Sequence, residues 1–302
     1  MRASGGVIVM GIFVSRKTRV LVQGITGGEG TFWTEYMLKA GTKVAAGVTP
    51  GKAGTEVHGV PVYGSVRQAV KKKGCAASVL FVPPAFCRDA VFEALDAGIT
   101  KIVLLADGVP VQDMLEMKTF ASEKNAMIVG PNTSGVATLG EAMLGFVPFW
   151  LAHVYRPGQV GIVTRSGSLT NEVASHIVKA GLGQSTVIGL GGDPVPGSRF
   201  VDVLKLFQRD KKTRAVVLVG EPGGTMEEEA ADFIAQGGFT KPVVAFLAGR
   251  TAPPEKKMGH AGAIITGGKG TIQGKTEALE AVGVKVALRP SQVGEMVREF
   301  LP

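Results

Sequence analysis

Short apolar runs rich in β-branched residues alternate along the chain with segments in which apolar residues recur every three or four positions. The short runs are typical of buried strands, and the longer repeat is typical of a helix with one buried face. In the first half, the runs predict strands at residues 19–23, 43–46, 78–82, 101–106 and 126–129. The repeats between them predict helices at residues 31–40, 87–97 and 111–123. Because strands and helices alternate and the strands end in Gly- or Pro-bearing loops, we predict a Rossmann-like parallel sheet.

The same alternation begins again after residues 131–157, a stretch in which neither period is regular. It predicts strands near residues 160–164, 185–190, 215–219 and 243–247, with helices between them. A chain of 302 residues is long enough for two domains of about 100–200 residues each. We therefore predict an α/β protein with one domain at residues 10–131 and a second domain at residues 132–302.

The composition narrows the class of protein. Hydrophobic residues make up 45% of the chain, but glycines and prolines interrupt every apolar run well before the roughly 18 residues of a membrane span. The first ten residues are too short for a secretory signal and lack the pattern of a transit peptide. Cys75 and Cys87 are the only cysteines and form no CxxC pair, so we expect no disulfide framework and no cysteine metal site. The prediction is a cytoplasmic protein in a reducing compartment.

The chain carries a net charge of +8, from 33 basic and 25 acidic residues. The basic residues are dispersed, and their one tight cluster, Lys71 to Lys73, is typical of a solvated helix end. Aromatic residues are 6% of the chain and are not interleaved with basic ones, so no stacking platform for nucleic acid is indicated. A small anionic ligand explains the charge more simply.

A glycine-rich loop, GITGGEG at residues 24–30, follows the first predicted strand and opens the first helix. Such a loop can hold a phosphate, because glycines let the backbone come close and the helix start offers free N–H groups. A tight turn without a ligand and a nicotinamide dinucleotide site remain alternatives. The second strand is followed by Lys52 rather than by an acidic residue for a ribose diol, and a lysine suits a phosphorylated ribose.

Two further segments could carry a phosphoryl group. Residues 165–170, RSGSLT, form a Ser/Gly-rich turn between a strand and a helix, where N–H groups and hydroxyls can receive a phosphate; an ordinary serine helix cap would look the same. His260 lies among small residues in KKMGHAGA, and a neutral imidazole is a competent nucleophile near neutral pH. A hydrogen-bonded loop histidine is the alternative. We interpret His58, His153 and His176 as structural.

The order of motifs resembles the alpha subunits of succinyl-CoA synthetase. The resemblance extends from about Thr18 onward and rests on QGITGGEGTF, VTPGKAG, FVPPAFCRDAV, GPN, GIVTRSGSLTNE, GGDPVPGS and MGHAGAI. The last two motifs are its most specific part. The resemblance implies a Rossmann-like CoA-binding domain followed by a flavodoxin-like parallel α/β ligase domain.

The resemblance also implies roles for individual residues. The CoA phosphates would be held by Thr26, Gly27, Gly28 and Glu29 and paired with Lys52, and the CoA cleft would be lined by Leu105, Ala106 and Asp107. His260 would be phosphorylated, and Glu221 would orient its ring. The phosphate and the acid would meet Ser166, Gly167, Ser168, Thr170 and Asn171.

The implied activity is a succinate–CoA ligase reaction of the tricarboxylic acid cycle. A partner subunit would transfer a phosphoryl group from ATP or GTP to His260, the acid would take it as an acyl phosphate, and CoA would displace phosphate. The chain contains no GxxxxGK[ST] loop, so the nucleotide and Mg²⁺ would be bound by an ATP-grasp beta subunit in a heteromer.

The sequence departs from the succinate enzymes at positions that lie near the acid in that family. Residues 132–135 read NTSG where the family usually reads NCPG, Asn171 replaces a tyrosine, and residues 146–150 read FVPFW where the family usually has Pro-Gly-His. The YRPG pattern at residues 155–158 and the SLTNE pattern at residues 168–172 resemble ATP-citrate lyase and citryl-CoA synthetase. The added hydroxyls of Thr133 and Ser134 favour an acid with extra oxygens, such as citrate, malate or a sulfo-acid, although succinate remains an alternative. A non-catalytic CoA-sensing protein and a nicotinamide oxidoreductase are the alternatives from other classes.

Overall fold

The computed structural model describes residues 12–250, 260–265 and 270–301. Its first half forms one sheet in the order β3-β4-β2-β1-β5-β6-β7. The strands are β1 Arg19–Gln23, β2 Lys43–Val48, β3 Glu56–Val57, β4 Val60–Tyr63, β5 Ala77–Leu80, β6 Lys101–Leu104 and β7 Met127–Val129. The helices are α1 Gly28–Lys39, α2 Val66–Lys73, α3 Cys87–Asp96 and α4 Val111–Glu123. Apart from β3, which runs antiparallel to β4, this is the Rossmann strand order, as predicted.

The second half forms another sheet in the order β14-β13-β12-β10-β11-β8-β9. The strands are β8 Gly135–Thr138, β9 Ala142–Gly145, β10 Pro157–Thr164, β11 Gln184–Gly189, β12 Ala215–Gly220, β13 Val243–Leu247 and β14 Lys285–Ala287. The helices are α5 Gly167–Lys179, α6 Phe200–Arg209, α7 Met226–Ala235, α8 Ile272–Ala281 and α9 Pro290–Arg298. Strands β10 to β14 are parallel in the flavodoxin order, which confirms the predicted α/β class.

The edge of the second sheet differs from the fully parallel sheet that the sequence predicts. Strands β8 and β9 form an antiparallel hairpin that pairs with β11. The hairpin lies within residues 131–157, where no regular period is visible. Every residue of both strands is buried, so the alternation of apolar and polar residues that marks a half-buried strand is missing.

The central strands are buried on both faces. Every residue of β11, β12 and β13 is buried, because helices cover both sides of a parallel sheet. One cluster of buried apolar side chains includes Val22 and Val103 of the first sheet and Val163 and Val217 of the second. The two sheets therefore share a continuous core. No helix among the described residues is long and apolar enough to cross a membrane.

Helix α2 shows how local sequence sets the ends of an element. The Ser65 hydroxyl accepts a hydrogen bond from the backbone N–H of Gln68, and Gly74 ends the helix in the left-handed conformation with φ of 64°. Lys71 to Lys73 form its last turn. The prediction of a helix end at this basic cluster is confirmed.

Candidate functional site

One cleft lies where the carboxyl ends of strands from both sheets meet. Its volume is about 750 Å³. Loops after β1, β5, β6 and β7 line it from the first half, and Gly167 and His260 line it from the second half. The carboxyl ends of strands are where open α/β sheets bind ligands, so the cleft is the candidate binding site.

The glycine-rich loop is packed too tightly for side chains at two positions. A Cβ on Gly24, whose φ is +78°, would lie 2.1 Å from the Phe81 carbonyl oxygen. A Cβ on Gly30 would lie 2.2 Å from the Gly24 carbonyl oxygen. The first contact places the loop against the end of β5, and the second packs Gly30 against the loop itself. Helix α1 begins at Gly28, and the N–H groups of its first turn have no partner inside the helix. The loop can therefore present N–H groups to an anion.

The structure brings most of the predicted CoA residues together. The main cleft is lined by Gly27, Gly28, Glu29, Leu105, Ala106 and Asp107. Thr26 and Gly27 line an adjoining cavity of about 540 Å³ together with Thr49 and Phe86. Lys52 is exposed three residues beyond Thr49 and lines neither cavity.

Glu29 differs from its neighbours in the loop because it carries a negative charge. Its Oε2 accepts a hydrogen bond of 2.9 Å from the Trp33 indole, one turn along α1. This contact holds the carboxylate along the helix surface. Any phosphate bound at the loop would therefore rely on backbone N–H groups rather than on the Glu29 side chain.

His260 is held by a buried carboxylate. Its Nδ1 lies 2.6 Å from Oε2 of Glu221, which follows β12, and the histidine side chain is 28% exposed. The hydrogen bond to Glu221 raises the pKa of His260, against the opposing effect of burial. With the Nδ1 proton donated to the carboxylate, Nε2 is the ring nitrogen that carries the free lone pair. The predicted pair of His260 and Glu221 is therefore in contact.

The histidine ring rests directly on backbone. A Cβ on Gly192 would lie 2.1 Å from Cγ of His260, so only glycine fits beneath the ring. The N–H of Gly262 donates to the Gly192 carbonyl at 3.0 Å and ties the histidine loop to the loop after β11. Met258 and Gly259 of the MGHAGAI motif lie outside the described residues.

Two charged residues, Arg165 and Glu227, lie behind the pair of His260 and Glu221. Arg165 belongs to the predicted phosphate turn but has no individual role in that prediction, and Glu227 is not predicted as a site residue. Nη2 of Arg165 lies 3.0 Å from Oε1 of Glu221, close enough for an ion pair although the angle is not that of a hydrogen bond. Nη1 of the same guanidinium lies 3.9 Å from Oε1 of Glu227. Arg165 is 4% exposed and Glu227 is fully buried. The Glu221 carboxylate is therefore held by a guanidinium charge that solvent hardly screens.

The start of α5 faces the histidine. Ser166 and Ser168 line a small cavity of about 290 Å³ together with Glu221 and His260, and Gly167 lines the main cleft. The Ser166 hydroxyl also accepts a hydrogen bond of 3.4 Å from the Leu169 N–H, so the serine cap is present beside the cavity. Thr170 is buried and binds the Ser166 carbonyl oxygen and the Thr164 hydroxyl. Thr170 thus shapes the turn from behind.

The residues that differ from the succinate enzymes have separate surroundings. The Thr133 hydroxyl donates to the Gly189 carbonyl at 2.6 Å, so its proton is engaged within the protein rather than offered to an acid. Ser134 and Phe146 line the main cleft. Asn171 is exposed and lines neither the main cleft, nor the adjoining cavity, nor the small cavity beside His260. Its Oδ1 accepts a hydrogen bond of 2.6 Å from the Tyr155 hydroxyl.

Two families match the two halves of the chain. The CoA binding domain family matches residues 15–108, and the CoA-ligase family matches residues 163–285. The first match contains the glycine-rich loop and Lys52, and the second contains Glu221 and His260.

Several relatives match almost the whole chain. An ADP-forming sulfoacetate-CoA ligase subunit of Acholeplasma sp is 59% identical over 96% of this chain and 98% of its own length. A second such subunit, from Bilophila wadsworthia, is 56% identical over 97% of this chain and all of its own length. The ADP-forming succinate–CoA ligase subunit alpha 2 of Archaeoglobus fulgidus is 54% identical over 97% of this chain and all of its own length.

A solved structure agrees with the fold. ATP citrate lyase from Methanothrix soehngenii, in complex with citrate and coenzyme A, superposes with a TM-score of 0.87 at 26% identity. The match covers 96% of this chain and 51% of that one, so this chain spans about half the length of that enzyme. With relatives at 54–59% identity over almost its full length, the chain belongs to the family of alpha subunits of ADP-forming CoA ligases.

Proposed function

We propose that this chain binds CoA and carries a phosphoryl group on His260 in an ADP-forming acid–CoA ligase. One observation carries the proposal: His260 lines both the main cleft and the small cavity at the start of α5. A phosphoryl group on the histidine could then be received by the helix N–H groups on one side and reach the CoA cleft on the other.

The reaction would have three steps. Nε2 of His260 attacks the γ-phosphorus of ATP and ADP leaves. A carboxylate oxygen of the acid attacks the phosphorus of phosphohistidine, which gives an acyl phosphate and restores the imidazole. The CoA thiolate then attacks the acyl carbon, and phosphate leaves as the thioester forms. In each step the protein contributes positioning and charge stabilisation.

The residues of this chain divide these tasks. Glu221 holds the Nδ1 proton, so that Nε2 can act as nucleophile in the first step and as leaving group in the second. The start of α5 contributes Gly167 to the main cleft and Ser168 to the small cavity, and the N–H groups of this first turn would stabilise the phosphoryl charge. The glycine-rich loop with Thr26 to Glu29, together with Leu105 to Asp107, would hold CoA, and Lys52 would pair with its phosphates.

A partner subunit would supply the nucleotide site. The sequence contains no GxxxxGK[ST] loop, and the family relatives are named as subunits, which supports a heteromer with an ATP-grasp beta subunit that binds ATP, or GTP, and Mg²⁺.

We further propose two domains at residues 10–131 and 132–302, supported by the two sheets. Two buried free cysteines favour a reducing cytoplasm.

For the acid, we propose a small dianion, with sulfoacetate as the first candidate and succinate as the second. Relatives named for sulfoacetate are 59% and 56% identical to this chain, and one named for succinate is 54% identical. Ser134 supports a sulfonate because this residue lines the cleft and a serine hydroxyl could add a hydrogen bond to a third oxygen. Citrate and malate are the bulkier alternatives, favoured by the fold shared with ATP citrate lyase.

The test is an acid screen of the complex purified with its native partner. Formation of ADP and of the CoA thioester is measured with sulfoacetate, succinate, citrate and malate, each with ATP and with GTP. The proposal predicts CoA-dependent ADP formation with at least one small dianion and the highest kcat/KM for sulfoacetate. A preference for succinate would overturn the first acid choice and place the subunit in the tricarboxylic acid cycle. No thioester with any acid, from a complex that binds CoA, would favour a CoA-sensing protein.

A further inference from the structure

Two charged side chains lie fully buried behind the histidine site. Glu227 is in the first turn of α7, Lys275 is in α8, and Nζ of Lys275 donates to Oε2 of Glu227. Charged side chains are almost never fully buried unless they are paired. Even a buried pair is weak evidence for stability, because the loss of hydration can exceed the attraction between the charges. The pair therefore points to a role other than general stability.

The second oxygen of Glu227 connects this pair to the site. Its Oε1 accepts a hydrogen bond of 3.2 Å from the backbone N–H of Glu221 and lies 3.9 Å from Nη1 of Arg165. Arg165 in turn lies 3.0 Å from the Glu221 carboxylate, which binds His260. Glu227 thus contacts both the backbone of Glu221 and the guanidinium beside its side chain.

The backbone around Glu227 leaves little freedom for another arrangement. A Cβ on Gly220, the last residue of β12, would lie 2.5 Å from Oε1 of Glu227. The strand end therefore lies directly against the carboxylate. On the other side, Nζ of Lys275 also lies 3.3 Å from Oε2 of Glu228, so the lysine ties two carboxylates of α7 to α8.

We propose that Glu227 and Lys275 are positioning residues for phosphoryl transfer at His260. The buried pair fixes the backbone of Glu221 and the guanidinium of Arg165, and through them the carboxylate that binds Nδ1 of His260. This inference rests on the proposed function of His260 and adds the residues that support its geometry. Neither Glu227 nor Lys275 lines the main cleft or the small cavity, so neither is proposed to touch a substrate.

A charge-dependent signature separates this role from simple packing. The charged groups that act on His260 are Glu221, Arg165 and Asp193. Lys275→Met leaves the negative charge of Glu227 uncompensated near Glu221 and Arg165, which favours the protonated form of His260. Glu227→Gln removes a negative charge and has the opposite effect. In a plot of phosphorylation rate against pH, the acid limb is the range in which the rate falls as His260 becomes protonated. This limb should therefore move to higher pH in Lys275→Met and to lower pH in Glu227→Gln.

The double variant Glu227→Gln with Lys275→Met removes both charges and so avoids an unpaired buried ion. It should return the acid limb close to the wild-type pH. Its rate of phosphorylation should nevertheless remain at least about tenfold lower than that of the wild type, because the amide at position 227, although it can still accept from the Glu221 N–H, is no longer fixed by Lys275 and no longer pairs with Arg165. The exposed pair of Lys285 and Glu299 offers a matched control, with Lys285→Met and Glu299→Gln expected to change neither rate nor pH dependence.

The experiment uses the complex with its native partner and measures single-turnover transfer of radiolabelled γ-phosphate to this chain across pH, with CoA affinity from calorimetry. Opposite shifts of the acid limb, a slow double variant and unchanged CoA affinity support the proposal. If a single variant does not fold, the rate of the double variant decides, and a wild-type rate overturns the proposal. Shifts in the same direction, or none, also overturn it. Absence of label on the wild-type chain would overturn the proposed function as well, whereas label on the wild type with unaffected variants would overturn this inference alone.

Discussion

Nδ1 of His260 and Oε2 of Glu221 lie 2.6 Å apart, although 39 positions separate the two residues in the chain. Glu221 directly follows β12, and His260 lines the same small cavity at the start of α5, so the fold brings the two side chains together. It fixes which ring nitrogen is free. The proposed phosphoryl transfer therefore depends on this single hydrogen bond more than on any other contact in the site.

Replacing Glu221 by glutamine should slow phosphorylation of His260. The amide keeps an acceptor oxygen but loses the charge, and a hydrogen bond to a charged group contributes about 1.5–3 kcal/mol. That loss corresponds to a rate about ten- to a hundredfold lower in single-turnover labelling of the complex. Glu299→Gln, on the exposed surface of the chain, is the control. A Glu221→Gln complex that labels as fast as the wild type would contradict the orienting role.

The rate of phosphorylation should also depend on pH in a defined direction. The hydrogen bond to Glu221 raises the pKa of His260 above its ordinary value of 6.5. Since only the neutral ring can attack, the rate should increase with pH and reach half its maximum above pH 6.5. In Glu221→Gln the midpoint should move to lower pH. A midpoint below 6.5 in the wild type, or no movement in the variant, would count against Glu221 as the cause of the raised pKa.

The same raised pKa has a consequence for stability. The folded protein binds the His260 proton more tightly than the unfolded chain does, so protonation stabilises the fold. This contribution is fully present below pH 6.5 and is lost as the pH rises through the folded-state pKa. Comparing denaturant unfolding of the wild type and His260→Asn across pH would reveal it as a difference that shrinks with increasing pH. A difference that grows with pH would contradict the assigned direction.

Adding one methyl group beneath the histidine should disable the site without unfolding the protein. The Cβ of Gly192→Ala would lie 2.1 Å from Cγ of His260, so the ring must leave its position against Glu221. Labelling should fall by at least about a hundredfold, since small displacements of reacting groups have effects of this size. Gly64→Ala is the matched control, because its Cβ would meet neighbours only at 3.6 Å and beyond. Normal labelling of Gly192→Ala would refute the ring position.

Lys52 should contribute to CoA affinity although it lines neither cavity. Lys52 is exposed, and its backbone N–H donates to the carbonyl oxygen of Thr49, a residue that lines the adjoining cavity of about 540 Å³. Removing a charged contact to a phosphate in Lys52→Ala should weaken CoA binding about ten- to a hundredfold in calorimetry. Lys43→Ala, at the opposite end of β2, should leave the affinity unchanged. Equal affinities of the wild type and Lys52→Ala would remove this residue from the CoA site.

Strong local patterns made much of the fold predictable. The strand at residues 19–23 and the helix at residues 111–123 have the predicted bounds, because a β-branched run and a long amphipathic repeat are each unambiguous. Strands β3 and β4 were missed because they contain only two and four residues. The hairpin of β8 and β9 was missed because burial on both faces removes its alternation.

From the sequence, we could predict only those residues of the candidate site whose type and motif by themselves indicate a chemical role. His260 and Glu221 stand in distinctive motifs, whereas the importance of Gly192 depends on a ring that lies far away in the sequence. Glu227 opens a run of three glutamates that is typical of the solvated first turn of a helix. Only the packing of α7 against α8 explains why the first of these carboxylates is fully buried. Such contacts depend on tertiary structure and have no local signal.

The position of the phosphoryl group tests the proposed role of His260 most directly. The complex with its native partner is incubated with ATP and Mg²⁺, and the phosphorylated residue of this chain is identified by mass spectrometry under alkaline conditions that preserve phosphohistidine. We expect an acid-labile phosphoryl group on Nε2 of His260, discharged by the acid substrate together with CoA and absent from His260→Asn. A phosphoryl group on another residue, or thioester formation by the His260→Asn complex at the wild-type rate, would contradict this role.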